Sequence, residues 1–127
     1  MGVDIGAELL DLGSSRLAAM DAAGIDLQVV SLTAPGCEAL DAETAIPIAK
    51  DANDRLCETV KAHPDRLAGF AALPTADPDA SAEELERAVG QLGLKGTMIN
   101  GHVRGRYLDD KKYWRIFECA EALDVPI

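Results

Sequence analysis

Basic residues are in short supply: 12 Lys and Arg stand against 22 Asp and Glu, for a net charge of −10. A nucleic-acid binder needs a basic face that displaces counterions from phosphates, whereas Lys and Arg here are scattered apart from one local cluster (Arg104, Arg106, Lys111, Lys112), so no nucleic-acid partner is expected. Long hydrophobic runs are also missing. No apolar stretch approaches the roughly 18 residues that suggest a membrane span, and the opening Met1-Gly-Val-Asp-Ile-Gly-Ala-Glu8 has no basic leader region. The expectation is a cytoplasmic protein with no membrane partner. Cysteines number three (Cys37, Cys57, Cys119), lie far apart and form no Cys-x-x-Cys, which excludes a zinc knuckle or a thioredoxin-type redox site. They read as small buried hydrophobes.

What is present is a balanced α/β composition, 48% hydrophobic and 27% charged. Four short runs look like strands: Leu27–Leu32, Leu67–Leu73, Gly96–Asn100 and Val125–Ile127. Their interiors are nearly continuous in apolar residues, the pattern of strands covered on both faces of a parallel sheet. Amphipathic helices fall between them. One is expected over 15–23, with Ser14 as N-cap and Gly24 as terminator. A second spans about 42–62, with Ala45, Ala49, Ala52, Leu56 and Val60 on one face. Pro47 there implies either a kink or a later start, with Thr44 or Ala45 capping. A third begins with Asp77 as cap and Pro78 in the first turn, buries Leu85, Ala88, Val89 and Leu92, and ends at Gly93. A fourth follows Asp109 or Asp110 and packs through Tyr113, Ile116, Phe117, Ala120 and Leu123. Together with Trp114, these rings match helical core spacing and need no cofactor to explain them.

Helix and strand alternate throughout, which implies right-handed crossovers and a parallel sheet. An open doubly wound sheet fits the periodicity, although no Gly-x-Gly-x-x-Gly follows any of the runs. A closed barrel fits as well, but it needs eight strands and typically ~250 residues. Because the sequence stops at Val125-Pro126-Ile127, inside a strand-like run, residues 1–127 are expected to be a single incomplete domain, whether its sheet is open or closed.

Several phrases resemble the amidohydrolase-related proteins. They are Arg16-Leu-Ala-Ala-Met-Asp-Ala-Ala-Gly-Ile-Asp26 followed by LQVVSL, then Ser31-Leu-Thr-Ala-Pro-Gly36, Asn53-Asp-Arg55, His63-Pro-Asp-Arg66, Gly69-Phe-Ala-Ala-Leu-Pro74, Lys95-Gly96, Asn100-Gly101, Tyr107-Leu-Asp-Asp110 and Ala122-Leu-Asp-Val-Pro-Ile127. In order and at this spacing, they are similar to the γ-resorcylate and 2,3-dihydroxybenzoate decarboxylases, relatives of aminocarboxymuconate-semialdehyde decarboxylase. The resemblance implies a (β/α)8 TIM barrel of which this chain holds about strands two to five, lacking the first strand and everything after the start of the fifth. It also implies one divalent metal (Zn, Mn or Mg) whose ligands lie outside this chain, a small aromatic carboxylic acid as substrate, and a homo-oligomer, dimer or tetramer.

Barrel chemistry takes place at the C-terminal ends of strands, and here those ends are Thr33-Ala34-Pro35, Pro74-Thr75 and Asn100-Gly101-His102. Asn100 is the leading substrate-binding candidate, because its amide both donates and accepts; the competing role is to turn the chain before Gly101. Ala34 leaves room for an aromatic ring, or serves only the Pro35-Gly36 turn. Thr33 and His102 complete the candidate wall. His63, where a helix ends before a proline, reads as structural. Arg104 and Arg106 could attract a carboxylate or contact a neighbouring subunit, with a solvated loop as the default. No catalytic residue and no metal ligand is assigned within this stretch.

The expected activity of the parent protein is therefore non-oxidative, metal-dependent decarboxylation of hydroxylated aromatic acids, with this chain supplying pocket wall. Two alternatives stand beside it. One is a metal-dependent hydrolase of the same superfamily, for example a lactonase. The other is a non-catalytic half-barrel that acts as an assembly module, since an open four-stranded sheet exposes its edges and its inner apolar face.

Overall fold

The computed structural model describes residues 4–127; residues 1–3, part of the N-terminal run read above for a leader, lie outside the described residues. The elements are α1 (Ile5–Leu10), α2 (Ser14–Ala23), β1 (Gln28–Val30), α3 (Ala42–Ala62), β2 (Leu67–Gly69), α4 (Pro78–Gly90), a 3-10 turn (Lys111–Tyr113) and α5 (Trp114–Leu123). The sheet is parallel. Gln28 pairs with Leu67 and Val30 with Gly69. Beyond β2 the ladder continues one bond at a time. Ala71 bridges Thr97 in parallel, the Lys95 N–H donates to the Gly69 carbonyl at 2.9 Å, and the Thr97 N–H donates to the Pro126 carbonyl at 3.1 Å.

The four strand-like runs thus lie side by side in chain order, but only two become regular strands. Residues 96–100 reduce to a bridge at Thr97, and residues 125–127 contribute the Pro126 carbonyl. Pro126 has no N–H to return to a ladder. It also presses close: a Cβ at Gly96 would overlap the Pro126 carbonyl oxygen. Neighbours in chain order, without reversal, are what a singly wound sheet produces; a doubly wound sheet reverses at a switch point.

The core lies on one side of this sheet, under α3, α4 and α5. Leu73, Leu85, Leu94, Tyr113 and Ile116 are all buried there. On the opposite side, within this stretch of chain, Val29 is 46% and Met98 42% exposed. Trp114 and Phe117 are likewise 50% and 41% exposed, so of the three rings placed in the core by spacing only Tyr113 is there. Helical period puts Ile116, Cys119 and Ala120 on the inner face of α5, which turns the two larger rings outward.

Helix ends follow their chemistry, with three adjustments. Ser14 is the first helical residue rather than the cap. Gly13 caps α2, and the Asp11 carboxylate accepts the Gly13 N–H at 2.7 Å to hold the turn. Gly24 ends α2 in the left-handed region, as expected. Helix α3 starts at Ala42 because the Asp41 carboxylate accepts the Thr44 N–H, and it runs unbroken through Pro47. Both Pro47 and Glu43, whose carbonyl Pro47 leaves unbonded, are exposed to solvent. Asp77 caps α4 and Pro78 opens it, but α4 ends at Gly90, before Gly93. Gly93 instead turns the connection with φ +73, and the Leu94 N–H closes back on Ala88.

The inner face of α3 holds a surprise: Asn53, not Ala52, is buried with Ala45, Ala49 and Leu56. Its amide nitrogen donates to the Ala72 carbonyl (2.9 Å) and to Glu84 Oε1 (2.8 Å), and its oxygen accepts the Ala72 N–H (2.8 Å). The side chain thus acts as a strand partner for Ala72 where the ladder has none. Glu84, 2% exposed, is also held by Arg87, which reaches on to Asp54.

Candidate functional site

Since the strands are parallel, the loops after them leave from one edge. The segment after β1 and the segment after Thr97 meet at an open hollow of about 270 Å³, whose wall includes Val29, Leu32, Thr33, Ala34, Met98 and Asn100. Three of the four residues expected to bind substrate (Thr33, Ala34, Asn100) are therefore brought together although Asn100 lies far along the chain from the other two. The wall is mixed: apolar side chains suit a ring, and a hydroxyl and an amide supply directional contacts. The Ala34–Pro35 peptide is cis.

His102 is not part of this wall. It sits in the exposed loop beyond Gly101, where Nδ1 accepts the Gly105 N–H at 3.0 Å and the ring meets Tyr107 edge-on at 6.0 Å. The bridge between Val103 and Arg106 completes that turn. Thr75 is fully buried, and its hydroxyl has no partner among the described residues.

A residue missed from the sequence lies behind the hollow. Glu38 is 4% exposed; its Oε1 accepts the Asn100 backbone N–H at 3.0 Å, while its Oε2 is buried without a partner. Gly36, with φ +62, makes the space. A methyl there would overlap the Glu38 carboxylate and stand 3.0 Å from Asn100 Nδ2. The available signal was a single acid set between Cys37 and Ala39-Leu40 directly after the Pro35-Gly36 turn.

The cation on the wall is Arg16, and it is committed. Its guanidinium donates to the Asp11, Glu8 and Leu9 carbonyls and to Gln28 Oε1. Arg106 pairs with Asp110 at 2.9 Å, and neither it nor Arg104 lines the hollow. A larger cavity of about 470 Å³ between α1, α2 and the start of β1 contains none of the candidate residues. The three thiols are buried and unbridged. Burial first, then the charge of Glu38, raises the Cys37 thiol pKa above its ordinary value, and burial does the same for Cys119. Neither is an activated nucleophile. Among the described residues no group of three or more His, Cys, Asp or Glu side chains gathers to hold a metal ion.

Comparison with known proteins places this geometry. Residues 10–127 match the family described as amidohydrolase. The γ-resorcylate decarboxylase of Polaromonas sp. (strain JS666) is 41% identical over 130 residues, covering 97% of this chain and 40% of that protein. A crystal structure of 2,6-dihydroxybenzoate decarboxylase complexed with 2,6-dihydroxybenzoate aligns with a TM-score of 0.88 at 43% identity, over 97% of this chain and 41% of that one. The 5-carboxyvanillate decarboxylase of Novosphingobium aromaticivorans, complexed with manganese and 4-hydroxy-3-methoxy-5-nitrobenzoic acid, aligns with a TM-score of 0.89 at 42% identity, over 92% of this chain and 34% of that one. The chain spans about two-fifths of the length of the relatives it matches. With the family match running through the strands, the hollow and the helices that back them, this chain belongs to the amidohydrolase family.

Proposed function

We propose that the full-length protein carrying this chain is a metal-dependent, non-oxidative decarboxylase of hydroxylated aromatic carboxylic acids. In this reading residues 1–127 supply about strands two to five of a (β/α)8 barrel, together with their helices. The first strand and the later ones come from outside the stretch. The observation that carries the reading is the convergence of Thr33, Ala34 and Asn100 on one hollow at the C-terminal edge of parallel strands, in a chain 42–43% identical to decarboxylases of aromatic acids.

In the reaction the bond between ring carbon and carboxylate breaks, carbon dioxide leaves, and a proton takes its place on the ring. The proton adds first, to the ring carbon that bears the carboxylate, drawing on the electrons of the neighbouring ionised hydroxyl. When carbon dioxide then leaves, the electron pair of the broken bond restores the aromatic ring and returns negative charge to that oxygen. What the residues here supply is binding and orientation. Ala34 keeps the wall shallow enough for a ring, and Val29 and Met98 exclude water from one ring face. Asn100 and Thr33 offer hydrogen bonds to ring substituents. The divalent metal, its ligands and the proton donor belong to parts of the protein beyond these residues. A cytoplasmic setting agrees with three unbridged buried thiols, and assembly as a homo-oligomer (dimer or tetramer) agrees with the outward-facing Trp114 and Phe117.

The test is turnover of 2,6-dihydroxybenzoate, 2,3-dihydroxybenzoate and 5-carboxyvanillate by the metal-replete full-length protein, followed as loss of substrate and release of carbon dioxide. The expected result is turnover of at least one of them. An Asn100→Ala change should lower kcat/KM by about 10- to 100-fold, the worth of one hydrogen bond to a developing charge. Absence of turnover across the panel, with lactone hydrolysis instead, would move the protein to the hydrolases of the same family.

A further inference from the structure

Two buried glutamates of this chain are held in opposite ways. Glu84 is bonded at both oxygens, by Asn53 and by Arg87, as an acid that secures a fold should be. Glu38 is as deeply buried, yet it holds a single hydrogen bond, from the Asn100 backbone N–H 62 residues further along the chain, and its second oxygen goes without a partner. No cation approaches it within ion-pair distance among the described residues. An acid kept in this condition works against stability, and such local conflicts mark functional positions more often than structural ones.

The surroundings are built for it. Gly36 takes a left-handed conformation, and any side chain there would strike the carboxylate. Asn100 Nδ2 stands 3.0 Å from the same point, so the Asn100 carboxamide and the Glu38 carboxylate both border the space left open by Gly36. Asn100 lines the hollow on its other side, and its carboxamide makes no protein hydrogen bond among the described residues that would otherwise fix it. Backbone at the end of a strand that has shrunk to one bridge is free to shift unless something ties it down.

We propose that Glu38 is the positioning residue for Asn100. It clamps the Asn100 N–H from behind, ties the loop after Thr97 to the Thr33–Gly36 loop, and so fixes the carboxamide at the distance a bound ring substituent requires. The proposal rests on the reading of Asn100 as a substrate contact. Glu38 itself is shielded from the hollow and touches no substrate.

The experiment is a double-mutant cycle in the full-length, metal-replete protein with 2,6-dihydroxybenzoate, using Glu38→Met, which keeps bulk but accepts no hydrogen bond, and Asn100→Ala. Glu38→Met should lower kcat/KM about tenfold or more, and in the Asn100→Ala background it should lower it no further. Glu38→Gln, which keeps an acceptor at Oε1, should restore kcat/KM to within about threefold of the parent. In parallel, hydrogen exchange at the Asn100 amide should speed up in Glu38→Met and stay slow in Glu38→Gln. Equal losses from Glu38→Met in both backgrounds, or a Glu38→Gln variant as impaired as Glu38→Met, would overturn the proposal. If Glu38→Met does not fold, Glu38→Asp, one methylene too short to reach, takes its place with the same expectations. Exchange at Asn100 needs no turnover. A parent protein that is inactive towards every hydroxybenzoate therefore refutes the proposed function, while exchange unchanged by the loss of the acceptor refutes the clamp.

Discussion

Replacing Asn53 by Ala tests the packing argument most severely. The wild-type amide satisfies both the N–H and the carbonyl of Ala72 and one oxygen of Glu84, at 2.8–2.9 Å. Ala72 is 6% and Glu84 2% exposed, so the groups released by truncation have little access to water. Each orphaned backbone group costs about 1–3 kcal/mol, and one facing a charge costs more. Arg87 still holds Glu84 and offsets part of the loss, and a water molecule entering the space left by the amide would recover some of the rest. The net expectation is a destabilisation of about 3–5 kcal/mol, at the upper end for a point change. The assay is urea denaturation of the full-length protein followed by far-UV circular dichroism and tryptophan fluorescence, with coincident transitions checked first. The exposed neighbour Asp51 changed to Ala serves as control and should stay within about 0.5 kcal/mol. A loss below about 1 kcal/mol for Asn53→Ala, with unchanged denaturant slope, would falsify the view that this amide stands in for a missing strand partner.

Gly36→Ala should destabilise the protein by about 1–3 kcal/mol through the left-handed backbone and the clash with Glu38, read as a fall in Tm that Glu38→Ala partly relieves. Asp77→Ala removes the carboxylate that accepts the Asp79 and Ala80 N–H groups and should cost about 1 kcal/mol in denaturant titration. The acid limb of stability follows from lowered carboxylate pKa values. The Thr44 N–H, then its hydroxyl, lowers Asp41, and the Lys112 N–H, then Arg106, lowers Asp110. A depressed folded pKa contributes stability above the unfolded value of about 3.9 and loses it as pH falls through the folded one. Helix content should therefore hold down to about pH 4 and decline below it, and Asp41→Asn should flatten that decline in a circular dichroism pH titration. Finally, Cys37 and Cys119 should resist alkylation by iodoacetamide at pH 8 in the folded protein and react once it is unfolded in urea, counted by mass spectrometry.

Much of this protein is legible in its sequence because the signals are local. Asp77-Pro78 announces the start of α4 through a cap and a fixed φ, Gly24 announces a helix end, and the spacing of Ala45, Ala49 and Leu56 orients α3. Alternation of elements specifies a parallel sheet, and a parallel sheet specifies that the turns after its strands share an edge, so Thr33, Ala34 and Asn100 could be named together. Local signals fail where a decision depends on what arrives from elsewhere. Nothing in the period of α3 separates Ala52 from Asn53; the peptide of Ala72 and the carboxylate of Glu84 make burial of an amide favourable. The run at 96–100 has the composition of a strand, but in this stretch it bonds its neighbours only around Ala71, Thr97 and Pro126.

By itself, then, the sequence determined the alternation of helix and strand-like run from α2 onward, the Gly24 end of α2, the Asp77 cap of α4, the parallel direction of the sheet and the edge on which its loops emerge, since these follow from patterns a few residues long. Tertiary structure alone decided that Asn100 is tied to Glu38, that His102 is spent on its own turn, that Arg16 is engaged by α1 and Gln28, and that Trp114 and Phe117 face outward. Each of these is a choice among partners, and a side chain's partner is set by which backbone and which charge the fold brings within about 3 Å of it.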